Sequence, residues 1–159
     1  MAFAYFCENN LVTTVSRLIL GAACLLASAA SSALDFKSVG AAPAVLYDAP
    51  STKGGKLFVV PRGAPLEVVL TYGDWVKVRD ASGDLAWTEA RGLSAKRTLM
   101  VRVPNAKVRA AAEEGAAIVF SADKGVLLEL AEAGGNGWLK VRHRDGLIGY
   151  VKSGEVWGN

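Results

Sequence analysis

The chain has 159 residues, 52% hydrophobic, 21% charged and 8% aromatic, and its 18 basic against 15 acidic side chains leave a net charge of +3. That length holds one ordinary domain or two small ones and excludes a large enzyme. The charge is too small to argue for nucleic acid as a partner, the aromatic content and mixed charges exclude wholesale disorder, and one His with two Cys leaves few ingredients for a metal site.

Residues 1–33 read as a secretory signal. Arg17 precedes an apolar run from Leu18 to Ala27, and the small residues Ser28-Ala29-Ala30-Ser31-Ser32-Ala33 follow. A positive charge, an apolar core of about ten residues and a small-x-small exit are what a signal peptidase requires. Ser31 and Ala33 place the cut before Leu34, with a cut after Ala29 as the near rival. A transmembrane anchor fits less well, because the run from Leu18 to Leu34 is short and rich in Ala and Ser where a span needs ~20 strongly apolar residues. Gly21-Ala22-Ala23-Cys24 is a poor lipoprotein box, with Gly where Leu is favoured and Leu25-Leu26 continuing past the cysteine. Both cysteines, Cys7 and Cys24, fall in this segment, so the chain from Leu34 onward needs neither a disulfide nor a thiol. The expectation is export to the periplasm or cell envelope, with no integral membrane span after cleavage.

A repeat organises the remainder. Trp75-Val76-Lys77-Val78-Arg79 recurs 63 residues later as Trp138-Leu139-Lys140-Val141-Arg142, and the same offset pairs Val45 with Val108, Gly83 with Gly146, Leu85 with Ile148, Trp87 with Tyr150 and Leu93 with Val156. Two homologous units are read over 43–95 and 104–157, with an N-terminal segment at 34–42 and a connector strand at 96–103. Short apolar runs such as 56–60, 66–70 and 126–130 are bounded by Gly54-Gly55, Pro61-Arg62-Gly63, Tyr72-Gly73-Asp74 and Gly134-Gly135-Asn136-Gly137, which predicts short strands and tight turns throughout. Ala110 to Ala117 has helical composition, but its counterpart contains Pro50 and Gly54-Gly55, so it is read as a loop. Five short strands in ~55 residues suit a small bent barrel near the lower size limit for an independent core, so the two units should share an interface. Alternation in the central strand puts Val76 and Val78 inside with Trp75, Lys77 and Arg79 outside, and repeats as Leu139 and Val141 inside with Trp138, Lys140 and Arg142 outside.

Trp-x-Lys-Val, a Gly-containing turn and then Gly/Ala-Trp/Tyr-Val/Thr, present as Trp75 through Thr88 and again as Trp138 through Val151, resembles the core of the bacterial SH3-like family. The closing segments Arg91-Gly92-Leu93 and Gly154-Glu155-Val156-Trp157 match its 3₁₀ turn and last strand. The resemblance implies an all-β fold of two tandem small SH3-like β-barrels, preceded here by an N-terminal signal helix, and a cell-envelope binding role. A more distant similarity links Val45-Leu46-Tyr47-Asp48-Ala49 and Gly73-Asp74-Trp75-Val76-Lys77-Val78 to the ligand-binding segments of eukaryotic SH3 domains, whose Tyr and Trp grip polyproline. Ser51-Thr52-Lys53-Gly54 replaces the acidic loop, Thr88-Glu89-Ala90-Arg91 replaces the Pro-containing turn, and the second unit has Val108-Arg109-Ala110-Ala111 where the Tyr belongs. These departures argue against polyproline and leave an aromatic groove around Tyr47, Trp75 and Trp87.

Catalytic chemistry is not expected. His143 lies between Arg142 and Arg144, which disfavour the imidazolium that a general base must become, and no phosphate loop or metal-ligand spacing occurs. The expectation is a non-enzymatic module without cofactor, recognising peptidoglycan peptides or another envelope protein through Tyr47, Trp75, Arg79 and Trp87, with Trp138, Arg142 and Tyr150 as the second unit's counterparts. In that picture the aromatics stack and Arg79 fixes a carboxylate. The competing expectation is a structural or assembly subunit of an envelope complex, with Trp157 or the outer tryptophans in an interface. Arg91, Lys96, Arg97, Arg102, Lys107 and Arg109 occur without an intervening acid, and read either as a basic seam or as a solvated connector.

Overall fold

A computed structural model describes residues 34–159; the expected signal segment and both cysteines lie outside the described residues. Fourteen strands form two seven-stranded antiparallel sheets. The first contains β1 (Asp35–Val39), β2 (Ala44–Tyr47), β3 (Lys56–Val60), β4 (Pro65–Tyr72), β5 (Trp75–Arg79), β6 (Leu85–Glu89) and β7 (Leu93–Ser94), in the order β3-β2-β6-β5-β4-β1-β7. The second repeats that order with β8 (Thr98–Val101), β9 (Ala106–Arg109), β10 (Ile118–Ala122), β11 (Leu127–Glu132), β12 (Trp138–Arg142), β13 (Ile148–Lys152) and β14 (Val156–Trp157). A 3₁₀ turn precedes the last strand of each, at Ala90–Gly92 and Ser153–Glu155. Residues 110–117 form a loop, and no helix of the described residues is long and apolar enough to cross a membrane.

Each sheet curls around its own core. Leu46, Leu66, Val76 and Val78 fill the first, and Val108, Leu128, Val141 and Val151 the second, each 1% exposed or less except Val76 at 2%. The alternation read in the central strand holds for β5, where Val76 and Val78 are buried and Trp75, Lys77 and Arg79 are partly exposed. A bulge between Val68 and Leu70 lets β4 bend across the barrel, and one between Leu130 and Glu132 does the same in β11.

The structural register refines the repeat. Tyr47 pairs with Trp87 and Arg109 with Tyr150, so Tyr47 and Arg109 are equivalent at a separation of 62, as are Phe58 and Phe120, or Leu66 and Leu128. From the fifth strand onward the separation is 63. The extra residue sits in the hairpin: four residues join Leu70 to Trp75, and five join Glu132 to Trp138. Val45 is therefore the counterpart of Lys107, and Leu46 that of Val108. The single offset paired Val45 with Val108 because one insertion within a run of similar residues leaves little trace in sequence.

The segments read as an N-terminal lead and a connector both carry sheet strands. β1 pairs with β4 and β7, and β8 pairs with β11 and β14. They also dock the barrels. The Ser38 and Thr98 hydroxyls lie 2.5 Å apart, and Thr98 Oγ1 donates to Gly63 O at 2.6 Å. Phe36 meets Trp157 edge to face at 5.1 Å, Arg97 lies over the same Phe36 ring, and Met100 packs on the first core.

Candidate functional site

The register aligns outward side chains across five strands of the first barrel. One row runs Lys56, Tyr47, Trp87, Lys77, Leu70, and beside it Val45 pairs with Val59 while Trp75 lies between Glu89 and Tyr72. A two-residue turn at Gly73-Asp74, with Gly73 at φ 55°, sets Tyr72 directly opposite Trp75. Asp48 fixes the loop that follows Tyr47: its N–H donates to Gly55 O, and Gly55 N donates to its carboxylate at 2.8 Å.

The aromatics form two contacts on this face. Tyr47 and Trp75 meet edge to face with centroids 5.5 Å apart. Trp87, next to Tyr47 in register, meets Tyr72 at 6.5 Å and lies 5.9 Å from Lys77 Nζ. Next to Tyr47 is a cleft of about 430 Å³, lined by the 40–45 segment, Tyr47, Thr88, Glu89, Arg91 and Gly92. A second hollow of about 350 Å³ is lined by Asp74, Glu89, Ala90 and Arg91. Arg91 donates to Glu89 across the wall these hollows share, at 3.0 Å, and remains largely exposed.

Tyr47, Trp75 and Trp87 thus share a face, as the sequence suggested. Arg79 lies one row further along and donates to both oxygens of the nearly buried Glu67 at 2.9 Å, so its charge is matched within the barrel. The cation at the cleft is Arg91. Tyr72, Leu70 and Glu89 escaped sequence reasoning, and Arg91 entered it only as a member of the basic run; the two-residue Gly73-Asp74 turn was the signal that could have placed Tyr72 beside Trp75.

The second barrel is built differently at the same positions. Trp138 was expected on the outside; it is only 8% exposed, a correction that its neighbours explain. Lys152, its cross-strand partner where Glu89 faces Trp75, brings Nζ to 5.9 Å from the ring, and Glu114 from the 110–117 loop holds that ammonium. The Lys152 hydrogen bond and then its charge hold the Glu114 carboxyl below the usual range. Tyr150 is flanked by Arg109 and Lys140; Arg109 donates to Ala116 O, and Lys140, paired with Glu132, has its pKa raised chiefly by that hydrogen bond. Arg142 is exposed at the strand end. The basic residues from 91 to 109 do not merge into one seam: Lys96 pairs with Glu129, Arg97 donates to Gly158 O, and Lys107 donates to Asn105 and Ser121.

Two docked all-β barrels, each closed by a 3₁₀ turn and one bearing an open aromatic face, define a small-barrel binding module. The chain belongs to the bacterial SH3 domain family, whose profile matches residues 40–95 and again 102–158. Domains of this family are binding modules, typical of extracellular and cell-wall-associated proteins. No curated protein matches the sequence. Similar solved structures include NlpC2 from Trichomonas vaginalis (10% identity, TM-score 0.37, 82% of this chain and 50% of that one) and NlpC1 from the same organism (14%, 0.36, 85% and 50%). An NlpC/P60 family protein from Bacillus cereus is also similar (14%, 0.36, 77% and 56%). The chain spans about half the length of these proteins.

Proposed function

We propose that this chain is a non-enzymatic, exported binding module whose first barrel recognises a peptide of the cell wall or of another envelope protein, along the face of Tyr47, Trp75 and Trp87. The observation that supports it is the contrast between the barrels. Where the first has Val45, Tyr47, Leu70 and Glu89, the second has Lys107, Arg109, Glu132 and Lys152, each with a local partner. The second barrel keeps aromatics at two of the three places, Trp138 and Tyr150, but it buries Trp138 and puts Arg109 in the place of Tyr47, so folding alone does not require the Tyr47–Trp75 pair of the first barrel. Tyr47, which lines a cleft of about 430 Å³ and meets Trp75 edge to face, is suited to stacking on a peptide's side chains, with Glu89 and Arg91 able to engage its polar groups. Arg91 takes the carboxylate-binding role first given to Arg79. Export rests on the N-terminal signal pattern, and absence of catalysis on the lone His143 between two arginines.

Co-sedimentation of the purified protein with isolated peptidoglycan sacculi, and in parallel its capture of solubilised envelope proteins, tests the proposal. Binding to sacculi assigns the cell-wall peptide, and binding only to an envelope protein assigns the other source. In either case Trp75→Ala should weaken binding by ~30-fold, the scale of an interface hot spot, with its circular dichroism unchanged. Trp138→Ala should instead lower thermal stability. A folded Trp75→Ala protein that binds as the parent does would overturn the proposal.

A further inference from the structure

β3 is the outermost strand of the first sheet, paired with β2 on one side and with no strand of the described residues on the other. Leu57, Phe58 and Val59, in succession, are 46%, 45% and 69% exposed. Soluble proteins usually guard such an edge with charge, proline, a bulge or a covering segment, because its unpaired N–H and C=O groups template further pairing. Here Lys56 and Pro61 flank the edge and a bulge interrupts its pairing with β2, yet Leu57, Phe58 and Val59 stay exposed. The equivalent β10 opens with exposed Ile118 and Val119 but closes differently. Phe120, in the place of Phe58, turns onto His143 with centroids 5.6 Å apart, and Ser121, in the place of Val59, is bonded to Lys107 at 3.0 Å. Three consecutive exposed apolar residues mark this edge in the first barrel, against two in the second.

We infer that two copies of this protein join through β3, antiparallel and edge to edge, about a two-fold axis at Phe58. The strand is self-complementary in that arrangement. Leu57 of each copy faces Val59 of the other, Phe58 faces Phe58 on the opposite side of the ribbon, and Lys56 faces Val60, so no like charges meet. A hollow of about 270 Å³ adjoins the strand, with Phe58, Val59, Pro61 and Met100 on its apolar wall and Asp80 and Ser82 on its polar one. A short edge of this kind falls at the low end of interface sizes, about 1,000 Å² in total, where association is weak and reversible. The result is a reversible dimer. Because Tyr47 lies on the adjacent strand, one continuous sheet would carry the aromatic face of both copies and present it twice to a repetitive surface.

Sedimentation equilibrium of the purified protein over a concentration series reads the outcome. The mass should rise towards twice that of the chain. Val59→Lys should hold it at the monomer mass with unchanged circular dichroism, and Leu57→Lys repeats the test on the same face. Ser121→Lys, at the equivalent position of β10, and Trp75→Ala, which separates dimerisation from ligand binding, should both still dimerise. A monomer at every concentration, an undiminished dimer in Val59→Lys, or equal loss in Ser121→Lys would each overturn the inference.

Discussion

Thr98→Val probes the seam between the barrels with almost no change in shape. The Thr98 hydroxyl has one proton, and it is donated to Gly63 O at 2.6 Å, so the 2.5 Å contact with Ser38 requires Ser38 to donate to Thr98. Valine keeps the volume but leaves two groups stranded: the Ser38 hydroxyl, on a residue 2% exposed, and the Gly63 carbonyl. An unsatisfied buried polar group costs about 1–3 kcal/mol, so the variant should lose on the order of 2 kcal/mol, which is roughly 6–10 °C in Tm for a body of this size. Ser38→Ala alone should cost less, because Thr98 still donates to Gly63. The double variant should cost less than the sum of the singles, since the two hydroxyls answer one another. Circular dichroism melts of the four proteins measure this, and docked barrels should melt in a single transition. A Thr98→Val Tm within error of the parent, strict additivity, or two separate transitions of which only one responds would refute the reasoning.

Two further outcomes follow from the second barrel. A Cβ on Gly149 would lie 2.7 Å from Arg109 O and 2.7 Å from Val108 Cγ1, whereas the counterpart in the first barrel is the buried Ala86. Gly149→Ala should therefore lose about 1–3 kcal/mol by overpacking, read from urea denaturation, and an unchanged midpoint would show that β9 yields freely. Glu114 titrates below the usual carboxylate range, so its link to Lys152 is present above the ordinary carboxylate pKa and is lost as the pH falls through the lowered one. Lys152→Met should return Glu114 to the ordinary range in a carboxyl-resolved NMR titration, and an unmoved titration would place the cause elsewhere.

The all-β fold and the duplication were legible because both rest on short-range signals. The Trp-x-Lys-Val alternation fixes the inner and outer faces of β5, and glycine-bearing turns recur in step. Residues 34–42 and 96–103 were read as lead and connector because the partners of β1 and β8 lie about 30 residues away, beyond any local pattern. Tyr47 and Trp75 came together as expected, since each sits at an outward position beside a defined turn. Arg79 did not remain free, because its partner Glu67 lies across the ladder on β4. The burial of Trp138 depends on Lys152 and Glu114, and neither residue type announces that it covers a ring.

The docking geometry makes the comparison between barrels a fair one. β1 faces β8, its own counterpart, and the 63–65 turn of the first barrel lies against Leu127, the counterpart of Pro65, and against Gly158. The contacts across the seam fall on β1, β8, the 63–65 turn and the 157–158 end, not on the outward positions of β2, β5 and β6. What remains outward on β2, β5 and β6 is equivalent to what remains outward on β9, β12 and β13. Under the proposed function, a ligand contact is what the partly exposed Trp75 and its neighbour Tyr47 would serve, where the second barrel buries Trp138 and puts Arg109 in the place of Tyr47.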